Sequence, residues 1–460
     1  PDYSSAASDV YKRQREGSVM AGLFDNIHLG LKRDDAIAIL TKQVVDLESA
    51  SDFYMACSHL INFPCDETEE ALILFLSRSS ADNAVRLAQR KAIEVLARLK
   101  SSRAQLIIAG FLESSDSYTV ENAAWALGEL NCSDRLIHES MISLLSDPSQ
   151  NQRVLIQSLA KLSVSSAIPS IECLLASEKT PIRGAALAAL SRLSGEQPNL
   201  DDLSDYLYEA NQMDRQSAVQ DIIDADAFQI LPDLLTAPIS PAFRMRALRS
   251  LVKQSDNLER KQFGLEAIQK VLLDDPRDIV VVHRYDMSPS TSLLVESLFH
   301  PDFSRCYLAM QSLLSRDVEE LYPLIEDCWN SRAYNDYGAH YFLMRLFGLM
   351  EGWSVEALNL IKPILRQAIA DKRPQFKKSA PAAFLSYARL FPNDCHDLIE
   401  QWLGVEGEQS WDYRYVALMV IQSDPKRFEI QQFYEPIKQL SCTDPDWAVR
   451  YKTESILGTV

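Results

Sequence analysis

The chain has 460 residues, 47% of them hydrophobic, which is enough for two or three ordinary domains or one elongated repeat array. Only 14 glycines leave few turns for a β-rich fold, so an all-α protein is expected. A formal net charge of −18 opposes the basic stripe that phosphate backbones require, which sets nucleic acid aside as the main ligand.

Residues 1–19, "PDYSSAASDVYKRQREGSV", lack the apolar centre of a signal peptide and read as a non-native or disordered extension ahead of Met20. No apolar run reaches 18 residues anywhere in the chain, so no membrane-spanning helix is expected. The eight cysteines (Cys57, Cys65, Cys132, Cys173, Cys306, Cys328, Cys395 and Cys442) are scattered, with no CxxC pair and no histidine at metal-ligand spacing. That speaks against a disulfide framework or a metal site and for a reducing, cytoplasmic setting.

One pattern recurs at the ends of apolar stretches: "AIEVLARL" (92–99), "AAWALGEL" (123–130), "LIQSLAKL" (155–162) and "ALAALSRL" (186–193). Their closing leucines are 31 or 32 residues apart. A period of that size marks stacked helical hairpins, because one hairpin cannot cover its own apolar face and must lean on the next. Looser units follow, including "ALRSLVKQ" (247–254), "LMRLFGLM" (343–350) and "ALMVIQSD" (417–424). Pro181, Pro241 and Pro445 sit where a first-turn proline loses no hydrogen bond, with Thr180, Ser240 and Asp444 before them as N-caps. Proline, then Val-Arg or Ile-Arg, then alanine and leucine at helical spacing resembles the HEAT pattern. The expectation is a HEAT-like α-solenoid, a right-handed superhelix of antiparallel helix pairs, over residues 20–460.

Three segments carry more polar and aromatic character than packing requires. In "YTVENAAWALGEL", Tyr118, Glu121, Asn122 and Trp125 share a helix face; the choice there lies between a core Trp125 and a ligand-facing ridge. Residues 281–314 begin with a short apolar run that stops in His283, Arg284, Tyr285 and Asp286, and continue to Arg305, Cys306 and Tyr307 at the opening of a helix. In "NDYGAHYFLMRLFGLMEGW" (335–353), Asp336, Tyr337, His340 and Tyr341 crowd one end of an apolar helix. Asp336 reads either as an N-cap or as a functional carboxylate. Polar aromatics beside an apolar wall suit a flat, conjugated, partly polar guest. There is no GxSxG, GxGxxG, Walker-type loop or HExxH.

The segments "VVHRYDMSPS", "FHPDFSRCYLAMQSLL", "YNDYGAHYFLMRLFG", "YTVENAAWALGEL", "SHLINFP" and "LAQRKAIEVLARLK" together resemble the HEAT-repeat phycobilin lyases of cyanobacteria, in particular those serving phycoerythrin α subunits. The resemblance runs from about Met20 to the end and thins after about residue 380. It implies attachment of phycoerythrobilin, as bound substrate, to a cysteine of a phycoerythrin α subunit, with no permanent cofactor. Some members also isomerise the pigment to phycourobilin, and both activities fit these residues. The resemblance implies that the acceptor supplies the thiolate, so Cys306 becomes a packing residue. Asp336 then holds pyrrole N–H groups, Arg305, Arg284 and Arg90 meet the propionates, and Tyr337 and His340 donate and accept protons. Trp125 and Tyr118 stack on the pigment, and Asn122, His283, Tyr285, Asp286 and Tyr341 complete the bilin-binding set. A second HEAT-repeat lyase or chaperone is a further expected partner. The alternative is a non-catalytic bilin chaperone or protein-binding scaffold in phycobilisome assembly.

Overall fold

The structure, a computed structural model, describes residues 30–79, 82–195, 199–253, 258–404 and 410–458. The expected extension at residues 1–19 lies outside them. Every regular element among the described residues is helical, so the all-α expectation holds. Their contacts fall into two compact units, the first running to Ser177 and resuming at Ala189, the second formed by Glu178–Ala188 and the residues from Asn199 onward.

In the first unit three long helices form one layer: α1 (Asn83–Arg98), α2 (Ser117–Glu129) and α3 (Gln152–Lys161), with α2 packed between the other two. Asp82 and Asn151 start α1 and α3 by accepting the backbone N–H groups of Ala84 and Val154. The exits of these helices repeat as regularly as the leucines. Lys100, Asn131 and Ser163 all have positive φ, as do Gly195 and Asp226 further on, each 31 or 32 residues after the last. The following N–H reaches back into the last turn, Ser101 to Leu96, Cys132 to Leu127 and Val164 to Leu159. These are left-handed helix stops that satisfy otherwise orphaned carbonyls, so the sequence period is also a backbone period.

The second unit contains α4 (Gln212–Asp224), α5 (Pro241–Lys253), α6 (Leu258–Leu273), α7 (Phe303–Leu313), α8 (Tyr337–Leu349), α9 (Ser379–Leu390), α10 (Trp411–Ser423) and α11 (Trp447–Leu457). Helices α8 to α11 pack in sequence, and α6 lies against α5, α9 and α11 together. Tyr415 donates its hydroxyl to the Leu265 carbonyl at 3.0 Å, Lys452 reaches Gln269 at 3.0 Å, and Arg249 pairs with Asp446 while lying 4.0 Å over the Trp411 ring. These bonds join positions 150 or more residues apart, so the unit closes on α6.

Two N-caps differ from expectation: Thr180 is already the first residue of its helix (Thr180–Leu193), and Asp444 does not cap. Helix α11 begins at Trp447 and is capped by Asp446, which accepts from Ala448 N at 2.9 Å. Asp444 is buried and pairs with Arg414 of α10 instead, which satisfies both charges away from water.

Helices α8 and α9 approach closely at Gly348. A Cβ there would lie 2.7 Å from Ser386 Cα, and Ser386 donates to the Met344 carbonyl at 2.6 Å. Gly348→Ala is therefore expected to destabilise the protein by about 1–3 kcal/mol through overpacking, seen as a lower melting temperature.

Candidate functional site

Helix α8 starts where Asp336 leaves the helical backbone and turns its carboxylate onto the first turn. One oxygen, Oδ1, accepts from both Gly338 N (2.9 Å) and Ala339 N (2.8 Å). Asp336 is thus an N-cap, yet both cap bonds use the same oxygen and leave Oδ2 for another donor. Tyr337 follows, half-buried, with the Lys378 ammonium 3.5 Å from its ring centroid. Phe303 and Tyr341 present their rings to the same ammonium at 5.1 Å each. Lys378 Nζ is buried and has no hydrogen-bond partner among the described residues. Burial without a partner pushes this lysine down to about 7. Beside this helix end lies a hollow of about 470 Å³ lined by Tyr334, Gln367, Ala370, Asp371, Lys372 and Arg373, the last bonded to Asn335 at 3.2 Å.

Tyr341, which shares the Lys378 ammonium with Tyr337, belongs to a buried polar network. Asp274, held at φ +40° just past α6, accepts the hydroxyls of Tyr341 (2.7 Å) and Tyr307 (2.9 Å) and pairs with Arg244, which also donates to the Tyr307 hydroxyl at 2.7 Å. Tyr341 is therefore a core residue, and burial pushes its hydroxyl well above the usual tyrosine range.

His340 is likewise internal rather than at the helix surface. Its ring lies between Phe376 (4.5 Å) and Trp329 (5.2 Å), 1% exposed, with Nδ1 buried and without a hydrogen-bond partner among the described residues. Burial pushes it down from 6.5 to about 4, so it is neutral at pH 7 and enclosed, which removes it as the proton acceptor facing a guest. The unfolded chain takes up this proton first on acidification. Stability is fully present above pH 6.5 and drains as the pH falls toward about 4. The melting temperature is expected to drop over that window, and His340→Leu to flatten the drop.

The 283–305 segment abuts this end of the unit, since Phe303 of α7 shares the Lys378 ammonium with Tyr337. Asp302 caps α7 through Ser304 N (2.8 Å), pairs with the buried Arg215 and holds His283 Nε2 at 3.0 Å. Arg284, Asp286 and Arg305 are exposed and Tyr285 is half-buried. Cys306 is buried with its thiol on the His300 carbonyl at 3.1 Å, and burial pushes it up to about 12. It remains a thiol, in keeping with a packing role.

In the first unit Arg90 pairs with Asp116 at 2.8 Å and lies 5.3 Å from the Tyr118 ring centroid. Tyr118 is 62% exposed, whereas Asn122 is buried and donates to the Tyr118 carbonyl at 2.7 Å. Trp125 is half-buried. Of the four residues expected to face the pigment here, only Tyr118 is exposed, with the half-buried Arg90 beside its ring.

Two features escaped the sequence reading. Lys378 stands in "KKSAP", which carries no spacing signal. A groove of about 740 Å³ opens at the other end of α8, lined by Leu349, Leu385 and Met419 together with Arg345, Arg389 and Arg427 among others. Arg345 is 4% exposed, donates to the Leu273 carbonyl and keeps a buried Nε without a hydrogen-bond partner among the described residues. Helix α8 is 13 residues long, which puts its two ends about 20 Å apart, so the groove and the Asp336 end are separate surfaces.

No family model matches the chain. It is 38% identical over 419 residues to the bilin biosynthesis protein CpeY of Synechococcus sp. (strain WH8020), covering 91% of this chain and 100% of that protein. It is 33% identical over 429 residues to the uncharacterized phycocyanin operon protein Y of Pseudanabaena tenuis (strain PCC 7409), covering 92% and 98%. Among solved structures, the complex of CpcE and CpcF of phycocyanin lyase from Nostoc sp. PCC7120 is similar at a TM-score of 0.47 and 22% identity, over 55% of this chain and 100% of that one. Because identity above 30% runs the whole length of one relative and nearly all of the other, the chain belongs to the CpeY family of bilin biosynthesis proteins.

Proposed function

We propose that this chain is a phycobilin lyase that attaches phycoerythrobilin to a cysteine of a phycoerythrin α subunit in the cytoplasm. Kinship with a bilin biosynthesis protein along its full length supports the pigment class. The observation that carries the chemistry is at the start of α8, where the Asp336 carboxylate makes both cap bonds through Oδ1 and the next residue, Tyr337, has its ring centroid 3.5 Å from the Lys378 ammonium, which makes no hydrogen bond among the described residues. An anion for pyrrole N–H groups, a phenol and cations match a flat dicarboxylate tetrapyrrole.

In the reaction the S–H of the acceptor cysteine adds across the ring A ethylidene double bond. A carbon–sulfur bond forms, the sulfur proton leaves and a ring carbon gains a proton. Asp336 Oδ2 orients the pigment through its N–H groups, Tyr337 stands within reach of the conjugated system as proton donor, and the exposed Arg284 and Arg305 meet propionates. Isomerisation to phycourobilin needs one further proton removed and one delivered, and a second HEAT-repeat lyase or chaperone is a partner consistent with this role.

The acceptor, not the lyase, supplies sulfur in this scheme. Replacing Cys306, Cys173 and Cys442 by serine together is expected to leave the rate of pigment attachment unchanged, while alkylating the acceptor cysteine abolishes it. Loss of attachment in a folded triple variant would overturn the scheme.

A further inference from the structure

Half-buried lysines lay their methylenes on apolar surface and keep the ammonium in water. Lys378 does the reverse: the residue as a whole is half-buried while its Nζ is sealed. The groups that face it are Tyr337 and Tyr341 of α8, Phe303 and Cys306 of α7, and Asp274 beyond α6. Cys306 stays a thiol. Asp274 is already engaged by Arg244, Tyr307 and Tyr341. Among the described residues the ammonium therefore makes no hydrogen bond and is held by ring faces and by the charge of Asp274, which does not bond to it, an arrangement weaker than a charge-assisted hydrogen bond to a carboxylate.

We propose that Lys378 is the counter-ion for a propionate of the bilin that docks at Asp336 and Tyr337, turning out of its aromatic box on its partly exposed stem when the pigment arrives. The proposal takes the identity of the guest from the lyase reading, and only that. It has a consequence in protons. In the empty protein this amine is half-neutral near pH 7, whereas beside a carboxylate it returns to the ordinary lysine range. Binding above pH 7 therefore takes up a proton, and affinity falls as the pH rises. The propionates themselves are ionised throughout.

The test titrates the full chain, Lys378→Met and Lys378→Arg with phycoerythrobilin and with its dimethyl ester, following bilin absorbance. For the wild type the free acid is expected to bind on the order of 100-fold more weakly at pH 9 than at pH 6. The ester should bind weakly with no such slope. Lys378→Met should bind the free acid as weakly as the wild type binds the ester, and Lys378→Arg tightly at every pH. The methionine variant is expected to melt no lower than the wild type, because it removes an uncompensated buried charge. An unchanged slope in Lys378→Met, or ester binding as tight as acid binding, overturns the proposal while leaving the lyase reading standing. No binding of phycoerythrobilin at any pH removes both.

Discussion

Asp336→Asn is expected to lose most chromophore transfer while keeping its melting temperature. Asparagine caps helices about as well as aspartate, and the two cap bonds need only one carbonyl oxygen, which the amide retains at the place of Oδ1. The change falls on the other atom. Where Oδ2 offers a charged acceptor to pyrrole N–H groups, the amide offers a donor, so an attraction becomes a clash of two donors. Loss of a charge-assisted hydrogen bond of about 1.5–3 kcal/mol predicts roughly a 10- to 100-fold fall in transfer. Asp336→Ala should show the same fall plus about 1 kcal/mol of lost stability from the missing cap. Transfer at the wild-type rate by Asp336→Asn would reduce Asp336 to a cap alone. Tyr337→Phe should slow transfer with little change in pigment affinity, measured by comparing single-turnover rates with binding.

The largest effect on stability is expected at Asp274. Its carboxylate is 1% exposed and is shared by Arg244, Tyr307 and Tyr341, so Asp274→Ala leaves a guanidinium and two hydroxyls stranded in the core. Removing one partner of a buried ion pair costs about 3–5 kcal/mol, a large share of the about 5–15 kcal/mol that holds a typical domain together. Arg244→Met should cost less, because both tyrosine hydroxyls still donate to Asp274. The double variant should be closer to the wild type than Asp274→Ala, since no uncompensated charge remains. Denaturant unfolding checks the order. A cost below about 1 kcal/mol for Asp274→Ala would mean that the network is not a structural unit.

Most of the fold is legible in the sequence because the repeat writes itself twice, once in leucines that face the next hairpin and once in the residues that end each helix. Lys100, Asn131, Ser163 and Asp226 are not the usual glycine, so the left-handed stops were invisible until the backbone was seen. Closure of the second unit on α6 was also hidden, because Tyr415 and Leu265 are joined across 150 residues by a bond that no local pattern encodes. The site divides in the same way. Asp336 was open to two readings; the structure bears out the cap, with both cap bonds on Oδ1, and leaves the functional one as a proposal. His340 and Tyr341 read as pigment-facing because helical spacing places them near Asp336, yet packing by Trp329, Phe376 and Asp274 turns both inward. Lys378 carries no signal at all in its own neighbourhood, since its significance lies in rings from α7 and α8.

The central claim is that this chain forms a covalent bond between pigment and protein. The direct measurement is co-expression with phycoerythrobilin synthesis and a phycoerythrin α subunit, followed by denaturing separation, mass and absorbance of the subunit. The account predicts an α subunit whose mass rises by one bilin, with pigment that survives denaturation only when the chain is present; absorbance then reports whether the bound bilin is phycoerythrobilin or phycourobilin. Pigment that co-purifies with the chain but leaves the α subunit unmodified on denaturation would contradict it.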